Sequence, residues 1–427
     1  MIARRHIDPR HWLSGRLARG ALAATLWQGV RVGAQALWMV VIARAIGPSG
    51  YGTFAGAAGL AGAIGSLTGV GFGLLMLQDV SRRPDIFPAA WRRANIAFLA
   101  SGGLLWAIFV LGALPLLPTG TPAWQYAAIG LPEVVFFPQT ILASYAFQTR
   151  ERMGMAGWMY ALVPMGNLVA AACFLWLSNE RTLGAYVPWH VASSLGAALA
   201  GHVAVSRILR PGPARFLVTR RDVGESLGYS MMRVIDTALV SIDKTLVLRL
   251  ADPASAGWYT AAFRLASVLA IPVSALAMAA LPRLFRARGG DQSARMARTL
   301  LLSSLIGGGV ASAGMIAASW ALPWLLGDDF ARSAQAARYL CLTPFLIGLC
   351  STGANVLVTS DRRRLRMMAQ AAGLAVLAVL GFTLIPPFGI AGAAVMLQGA
   401  LGTTAALLWW AAFRSRSPTH STSRNHD

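Results

Sequence analysis

Arg207-Ile-Leu-Arg-Pro-Gly-Pro-Ala-Arg-Phe-Leu-Val-Thr-Arg-Arg221 is the stretch on which the architecture turns. It is basic, carries Pro211 and Pro213, and interrupts a chain that is otherwise apolar on both sides. Upstream, apolar runs of about 20 residues, the length that crosses a bilayer, can be drawn at residues 21–43, 52–77, 95–117, 124–147, 156–178 and 183–205. Downstream the pattern repeats at 228–250, 258–282, 299–326, 334–358, 367–386 and 389–413. The reading is an all-α integral membrane protein of about twelve transmembrane helices. A tail (1–20) leads into a first six-helix bundle (21–205), a basic linker (206–227), a second six-helix bundle (228–413) and a C-terminal tail (414–427).

Composition agrees. The chain has 427 residues, is 56% hydrophobic and only 12% charged, with a mean hydropathy of +0.57 and a net charge of +21. Soluble domains carry about 25% charged residues, so a soluble chain of this kind could not cover its own surface. A +21 excess also invites a nucleic-acid reading, but that needs a basic face on a soluble domain.

The arginines instead sort by connection. Arg4, Arg5, Arg10, Arg16 and Arg19 precede the first run; Arg82, Arg83, Arg92 and Arg93 fill the second connection, Arg150 and Arg152 the fourth, and the linker the sixth. Arg283, Arg286, Arg288, Arg295 and Arg298 follow in the eighth, Arg362, Arg363, Arg364 and Arg366 in the tenth, and Arg414, Arg416 and Arg424 in the tail. The odd-numbered connections hold only Arg44, Arg181 and Arg332. By the positive-inside rule both termini are cytoplasmic, and the charge is a topology signal that leaves no nucleic-acid partner. The first run exceeds a signal-peptide core of about 7–15 residues, which argues against a cleaved leader.

Cys173, Cys341 and Cys350 fall inside runs and read as small packing residues; the six histidines show no ligand spacing, so no metal is assigned. No outward connection exceeds about ten residues, within the ordinary loop range, which leaves no room for an extramembrane catalytic site. The chain also lacks GxxxxGK[ST] and cannot hydrolyse ATP by a P-loop. It is not read as an enzyme, and no cofactor is assigned. Gly56, Gly59, Gly62, Gly65 and Gly69 recur every three or four residues, the spacing of a close-packing helix ridge rather than a phosphate loop.

Six runs, a linker and six more runs describe a duplication related by a pseudo-twofold along the membrane normal. The first helix of each half ends in a similar turn, Arg44-Ala-Ile-Gly-Pro-Ser-Gly-Tyr51 and Arg249-Leu-Ala-Asp-Pro-Ala-Ser-Ala-Gly-Trp-Tyr259.

The segment opening the second half, Ser230-Met-Met-Arg-Val-Ile-Asp-Thr-Ala-Leu-Val-Ser-Ile-Asp-Lys-Thr-Leu246, is the most informative for function. Its four ionisable groups, at about 2.5–3.5 kcal/mol each, would cost about 10 kcal/mol facing lipid. A helical projection at about 100° per residue gathers Ser230, Arg233, Asp236, Thr237, Ser241, Asp243 and Lys244 into one polar stripe. Such a stripe lines a cavity or meets partners on neighbouring helices. Arg233 with Asp236, or Lys244 with a carboxylate of another helix, can equally pair as packing devices. Among the cations inside runs, Arg249 and Arg338 lie near helix ends and can snorkel. Arg31, Arg233, Lys244 and Arg264 are candidates for a cationic lumen, and arginine suits a phosphate or diphosphate through bidentate contacts. Glu133, between Pro132 and Pro138-Gln139, marks a broken helix or a buried hydrogen-bonded acid. Asn167, Asn355 and Gln398 read as interhelical hydrogen-bonding residues.

At these residues the chain resembles the polysaccharide biosynthesis (oligosaccharide flippase) family of the multidrug/oligosaccharidyl-lipid/polysaccharide exporter superfamily. The resemblance is carried by Ala43-Arg-Ala-Ile-Gly-Pro-Ser-Gly-Tyr51-Gly with Val80-Ser-Arg in the first half. In the second it is carried by Asp243-Lys244, Gly257-Trp-Tyr259, Ala262, Arg264 and Leu281-Pro282. It implies two six-helix bundles in a V around a central cavity, with Asp243, Lys244 and Arg264 as cavity residues. It implies alternating-access movement of an undecaprenyl-diphosphate-linked oligosaccharide across a bacterial inner membrane for surface polysaccharide synthesis. Candidate substrate-binding cations are Arg31, Arg233, Lys244 and Arg264; candidates for charge pairing or for taking up H⁺ or Na⁺ are Asp236, Asp243 and Glu133. The partners expected are the lipid-linked substrate, the bilayer, and a polysaccharide polymerase with its glycosyltransferases. The rival readings are a cation-coupled multidrug exporter of the same superfamily, whose cavity should be rich in acids, and a scaffold without transport of its own.

Overall fold

The computed structural model describes residues 16–214, 220–286, 290–359 and 362–414, in which only helices and turns occur. Most of both tails and the middle of the 206–227 linker lie outside the described residues.

Helix α1 (Arg16–Gly65) carries the first crossing and most of the second, bent at Gly47, whose φ of 71° suits a residue without Cβ, next to Pro48. The run 52–77 was expected as one helix. It is not: residues 66–71 form a turn with φ of 79° at Gly69 and 75° at Gly71, before α2 (Phe72–Arg82) resumes. Gly69 therefore leaves the ridge and abuts the Phe98 ring. Next come α3 (Phe87–Ile108), α4 (Ala123–Leu131), a π turn over Pro132–Phe136, α5 (Phe137–Gln148), α6 (Met153–Leu177) and α7 (Leu183–Ala204).

The later helices are α8 (Arg220–Leu239), α9 (Ile242–Leu250), α10 (Pro253–Arg286), α11 (Gly290–Ala318), α12 (Ala321–Leu326), α13 (Ala331–Tyr339), α14 (Thr343–Thr359) and α15 (Arg363–Arg414). Helix α15 holds two crossings, bent at Gly389 (φ 52°) just after Pro386-Pro387. Helices α13 and α14 make one crossing bent by 51°. Among the described residues eight helices are long and apolar enough to cross a membrane, nine with α13 and α14 taken as one bent span, and α1 and α15 each hold two of the expected runs across their bends.

Two compact units divide after Gly257: Met1–Gly257 and Trp258–Asp427. The first therefore includes α8 and α9 as well as the first six crossings. Its apolar core joins Phe72 and Met76 of α2, Phe87 and Phe98 of α3, Phe147 of α5 and Met159 of α6. That of the second unit joins Leu284, Leu300, Leu357, Leu408 and Trp409.

Large apolar side chains also face outward, Leu111 at 79% and Trp324 at 82% exposure. In a membrane this surface meets lipid rather than water. Exposed Trp124, Trp176, Trp320 and Trp324 lie at arginine-poor helix ends, as interfacial aromatic anchors do. Between helices, Asn167 Oδ1 accepts from Ser193 Oγ at 2.7 Å, and Gln398 Nε2 donates to the Tyr339 carbonyl at 2.7 Å. Both act as the interhelical hydrogen-bonding residues the sequence suggested.

Candidate functional site

The polar stripe drawn over 230–246 assumes one continuous helix. The structure breaks it: Val240 and Ser241 form a turn, and α9 restarts at Ile242. Neither glycine nor proline marks the spot, so local propensity does not announce the break. What holds it is a side chain from the next turn. Lys244 Nζ donates to the Val240 carbonyl at 2.7 Å and to Asp243 Oδ1 at 2.8 Å. Asp243 is 0% and Lys244 7% exposed at the side chain, so this is a buried ion pair between adjacent residues. The ammonium satisfies a carbonyl that the interrupted helix would leave short of a partner.

Helix α9 docks on the glycine ridge of α1. A Cβ at Gly56 would overlap Leu248, one at Gly59 would strike the Ser241 carbonyl, and Thr245 Oγ1 donates to the Gly56 carbonyl at 2.7 Å. Further along, Gly62 lies beside Glu133 Oε2 and Gly65 against the Glu133 backbone. One ridge thus supports the buried ion pair at one end and the π turn at the other. The spacing read from the sequence marks close backbone approach, as helix packing in a membrane requires.

At the bend of α1 the contact becomes reciprocal. Gly52 abuts the Pro253 carbonyl, and Gly257 abuts the Pro48 carbonyl. Pro48 precedes Gly52 by the same interval as Pro253 precedes Gly257, so each proline carbonyl meets the glycine that follows the other proline. The N-terminal end of α8 is held differently. Arg93 of α3 bridges Asp79 of α2 at 3.0 Å and Asp222 of α8 at 2.9 Å, with its side chain 13% exposed. This bridge was invisible in the sequence, where Arg93 served only as one of the loop arginines.

The other candidates fall on several different elements. Arg31 lies half-buried on α1, where its Nε donates to Gln28 Oε1 at 3.1 Å. Asp236 is half-buried on α8, one turn before the break. Arg233 falls on the same helix, but its side chain lies outside the described residues. Glu133 is half-buried in the π turn, and Thr68 Oγ1 donates to the neighbouring Val134 carbonyl at 2.7 Å. The helix is thus widened at Pro132 rather than cut. Arg264 belongs to the second unit: on α10 it is half-buried, and its Nε is buried without a hydrogen-bond partner. Of the cations near helix ends, Arg249 is exposed and Arg338 stacks on Trp320 at 4.5 Å.

The family model described as polysaccharide biosynthesis protein matches residues 17–288. No curated protein sequence matches the chain. Among solved structures, lipid II flippase MurJ in an inward closed conformation superposes with a TM-score of 0.69 at 12% identity, covering 91% of this chain and 87% of its own. An inward-facing multidrug resistance MATE family transporter of the MOP superfamily gives 0.67 at 11% identity, covering 91% and 97%. A MOP superfamily transporter from Pyrococcus furiosus, described as having a binding pocket of reverse polarity, gives 0.56 at 12% identity, covering 92% and 94%. At these identities the likeness is one of fold.

Proposed function

Because the chain belongs to the polysaccharide biosynthesis protein family, we propose that it is a flippase for a lipid-linked oligosaccharide carried on undecaprenyl diphosphate. It would work by alternating access in a bacterial inner membrane, with both termini cytoplasmic and the two six-helix repeats moving as the mobile parts. The family and the fold are those of transporters. Polymerase and glycosyltransferases would stand on either side of it in the assembly of a surface polysaccharide.

The observation that carries this reading is Arg264, a guanidinium within a membrane-spanning helix whose Nε is buried and has no hydrogen-bond partner. A buried polar atom left unpaired costs about 1–3 kcal/mol, and a diphosphate oxygen is the acceptor that a guanidinium fork fits best. Asp243, a carboxylate that would otherwise favour a cationic cargo, is engaged by Lys244. Arg31 and Arg233 would add positive charge, Lys244 would serve mainly to neutralise Asp243, and Asp236 and Glu133 would serve as pairing groups. A multidrug exporter of cationic compounds would need the opposite balance.

Arg264→Ala, with membrane insertion verified, should abolish surface polysaccharide and leave lipid-linked units on the cytoplasmic side of a deletion strain. Arg264→Lys should restore part of the export. Normal polysaccharide from Arg264→Ala, or drug sensitivity as the only phenotype of the deletion, would overturn the reading.

A further inference from the structure

His190, on α7, is 2% exposed, and neither ring nitrogen has a hydrogen-bond partner. Aromatic rings enclose it. Phe54 meets it edge-on with centroids 5.0 Å apart, Tyr186 lies at 6.0 Å, and Trp38 stacks on it at 6.4 Å with an interplanar angle of 22°. Trp38 Nε1 donates to Tyr186 Oη at 2.7 Å, so the indole donor is used within the box. A phenylalanine or leucine would fill such a space without stranding two polar atoms. Buried histidines normally satisfy at least one nitrogen, and an exception calls for an explanation.

The placement supplies one. Trp38 and Phe54 lie on the two arms of α1, on either side of its bend at Gly47-Pro48. The His190 ring therefore touches both arms at once. The second arm continues into the ridge that seats Thr245 and the Asp243–Lys244 pair. A change at His190 has a short packed route, through one helix, to the charged segment.

We propose that His190 is a proton-binding site that couples protonation to the bend of α1. In the closed box neither N–H of an imidazolium would have an acceptor, so this packing suits the neutral ring. If the arms of α1 part and water enters, the imidazole takes a proton at its free nitrogen. The surrounding ring faces then favour the resulting cation. Closing the box again requires the proton to leave, and this alternation is what a proton-driven transporter needs.

Among ionisable groups, Tyr186 faces the ring directly. Arg31 lies seven residues before Trp38 on α1, about 10 Å along the helix axis. Arg44 precedes the bend at Gly47. Glu133 lies beside Gly62, eight residues beyond Phe54 and about 12 Å further along. On α6, Tyr160 and Cys173 share the helix of Phe174, whose ring packs on Tyr186, and Arg181 stacks on Phe174 at 5.5 Å. Among the described residues no hydrogen bond joins a carboxylate to the imidazole.

The role as a coupling site rests on the transport reading above, whereas proton binding does not. The first measurement is therefore histidine NMR on purified, isotope-labelled full-length protein in nanodiscs between about pH 5 and 8. His190, assigned by its absence in His190→Gln, should show two forms in slow exchange, neutral and imidazolium, with the charged form growing as pH falls. A single neutral form throughout would overturn the site. The second measurement is export driven by a proton gradient in His190→Gln and in His190→Phe, which keeps the box filled. Both should lose about ten-fold or more, as expected when a titrating group is removed. Wild-type export with unchanged sensitivity to a protonophore in either variant would overturn the coupling role. If His190 titrates but the deletion strain makes normal polysaccharide, the site stands and the flippase reading falls.

Discussion

The bends that open the two halves of the chain share a backbone design but not a charge. In each, a proline is followed four residues later by a glycine, and each glycine meets the other's proline carbonyl. The helices leading into these bends differ. Arg31 on α1 is half-buried and hydrogen-bonded to Gln28, whereas α9 carries a fully buried carboxylate clamped by Lys244 beside a helix break. The two bends share the packing that brings them together, while the charges carried by the helices beside them differ. Close approach at the bends tolerates only glycine. The charged positions further along are free to specialise.

The largest effect should come from disturbing the charged copy. Asp243→Asn leaves the Lys244 ammonium buried without its carboxylate, which should destabilise the protein by about 3–5 kcal/mol. Thermal unfolding of the purified protein would register this as a large fall in Tm. The double variant Asp243→Asn with Lys244→Met should recover much of it, and failure to recover would mean that the pair is not the stabilising unit.

Next comes the shared backbone crossing. Gly52→Ala and Gly257→Ala each place a Cβ against a proline carbonyl rather than a flexible side chain. Each should cost about 1–3 kcal/mol by overpacking. Because both distort one crossing, the double variant should cost less than the sum. Strict additivity in the same unfolding assay would argue against a reciprocal contact.

Smaller again is Thr245→Val, which removes the hydrogen bond to the Gly56 carbonyl and should lower stability by about 1 kcal/mol. The smallest should be Arg31→Gln, within about 0.5 kcal/mol. That variant sharpens the contrast if export nevertheless falls, because a stability-neutral loss of transport assigns Arg31 to substrate rather than to packing.

Much of the fold was legible because the membrane imposes it. Run length and the glycine ridge each follow from a constraint that acts along the sequence, and Gly47-Pro48 and Pro386-Pro387 announce their bends. The break at Val240-Ser241 was not legible, since it depends on Lys244 reaching back to a carbonyl and on the Gly59 surface that receives Ser241. A helical projection presupposes the continuity that fails there. Arg93 joining Asp79 to Asp222 is similarly a long-range event, in which three loop-flanking charges become a bridge only once α2, α3 and α8 are packed. His190 carried no sequence signal because what distinguishes it is the set of rings around it rather than its neighbours in the chain. Arg264 was legible as a cation in a span, but its unpaired nitrogen was not.

Intramembrane cations that serve an anionic, lipid-linked cargo are the proposed basis of transport. Its most direct test is translocation of a fluorescent undecaprenyl-diphosphate oligosaccharide in liposomes reconstituted with the purified protein alone. Wild type should move the label across the bilayer, and Arg264→Ala, inserted equally well, should slow it by about ten-fold or more, the loss expected from one charge-assisted contact. Equal rates for wild type and Arg264→Ala, or no movement by wild type with an intact proton gradient, would contradict the account.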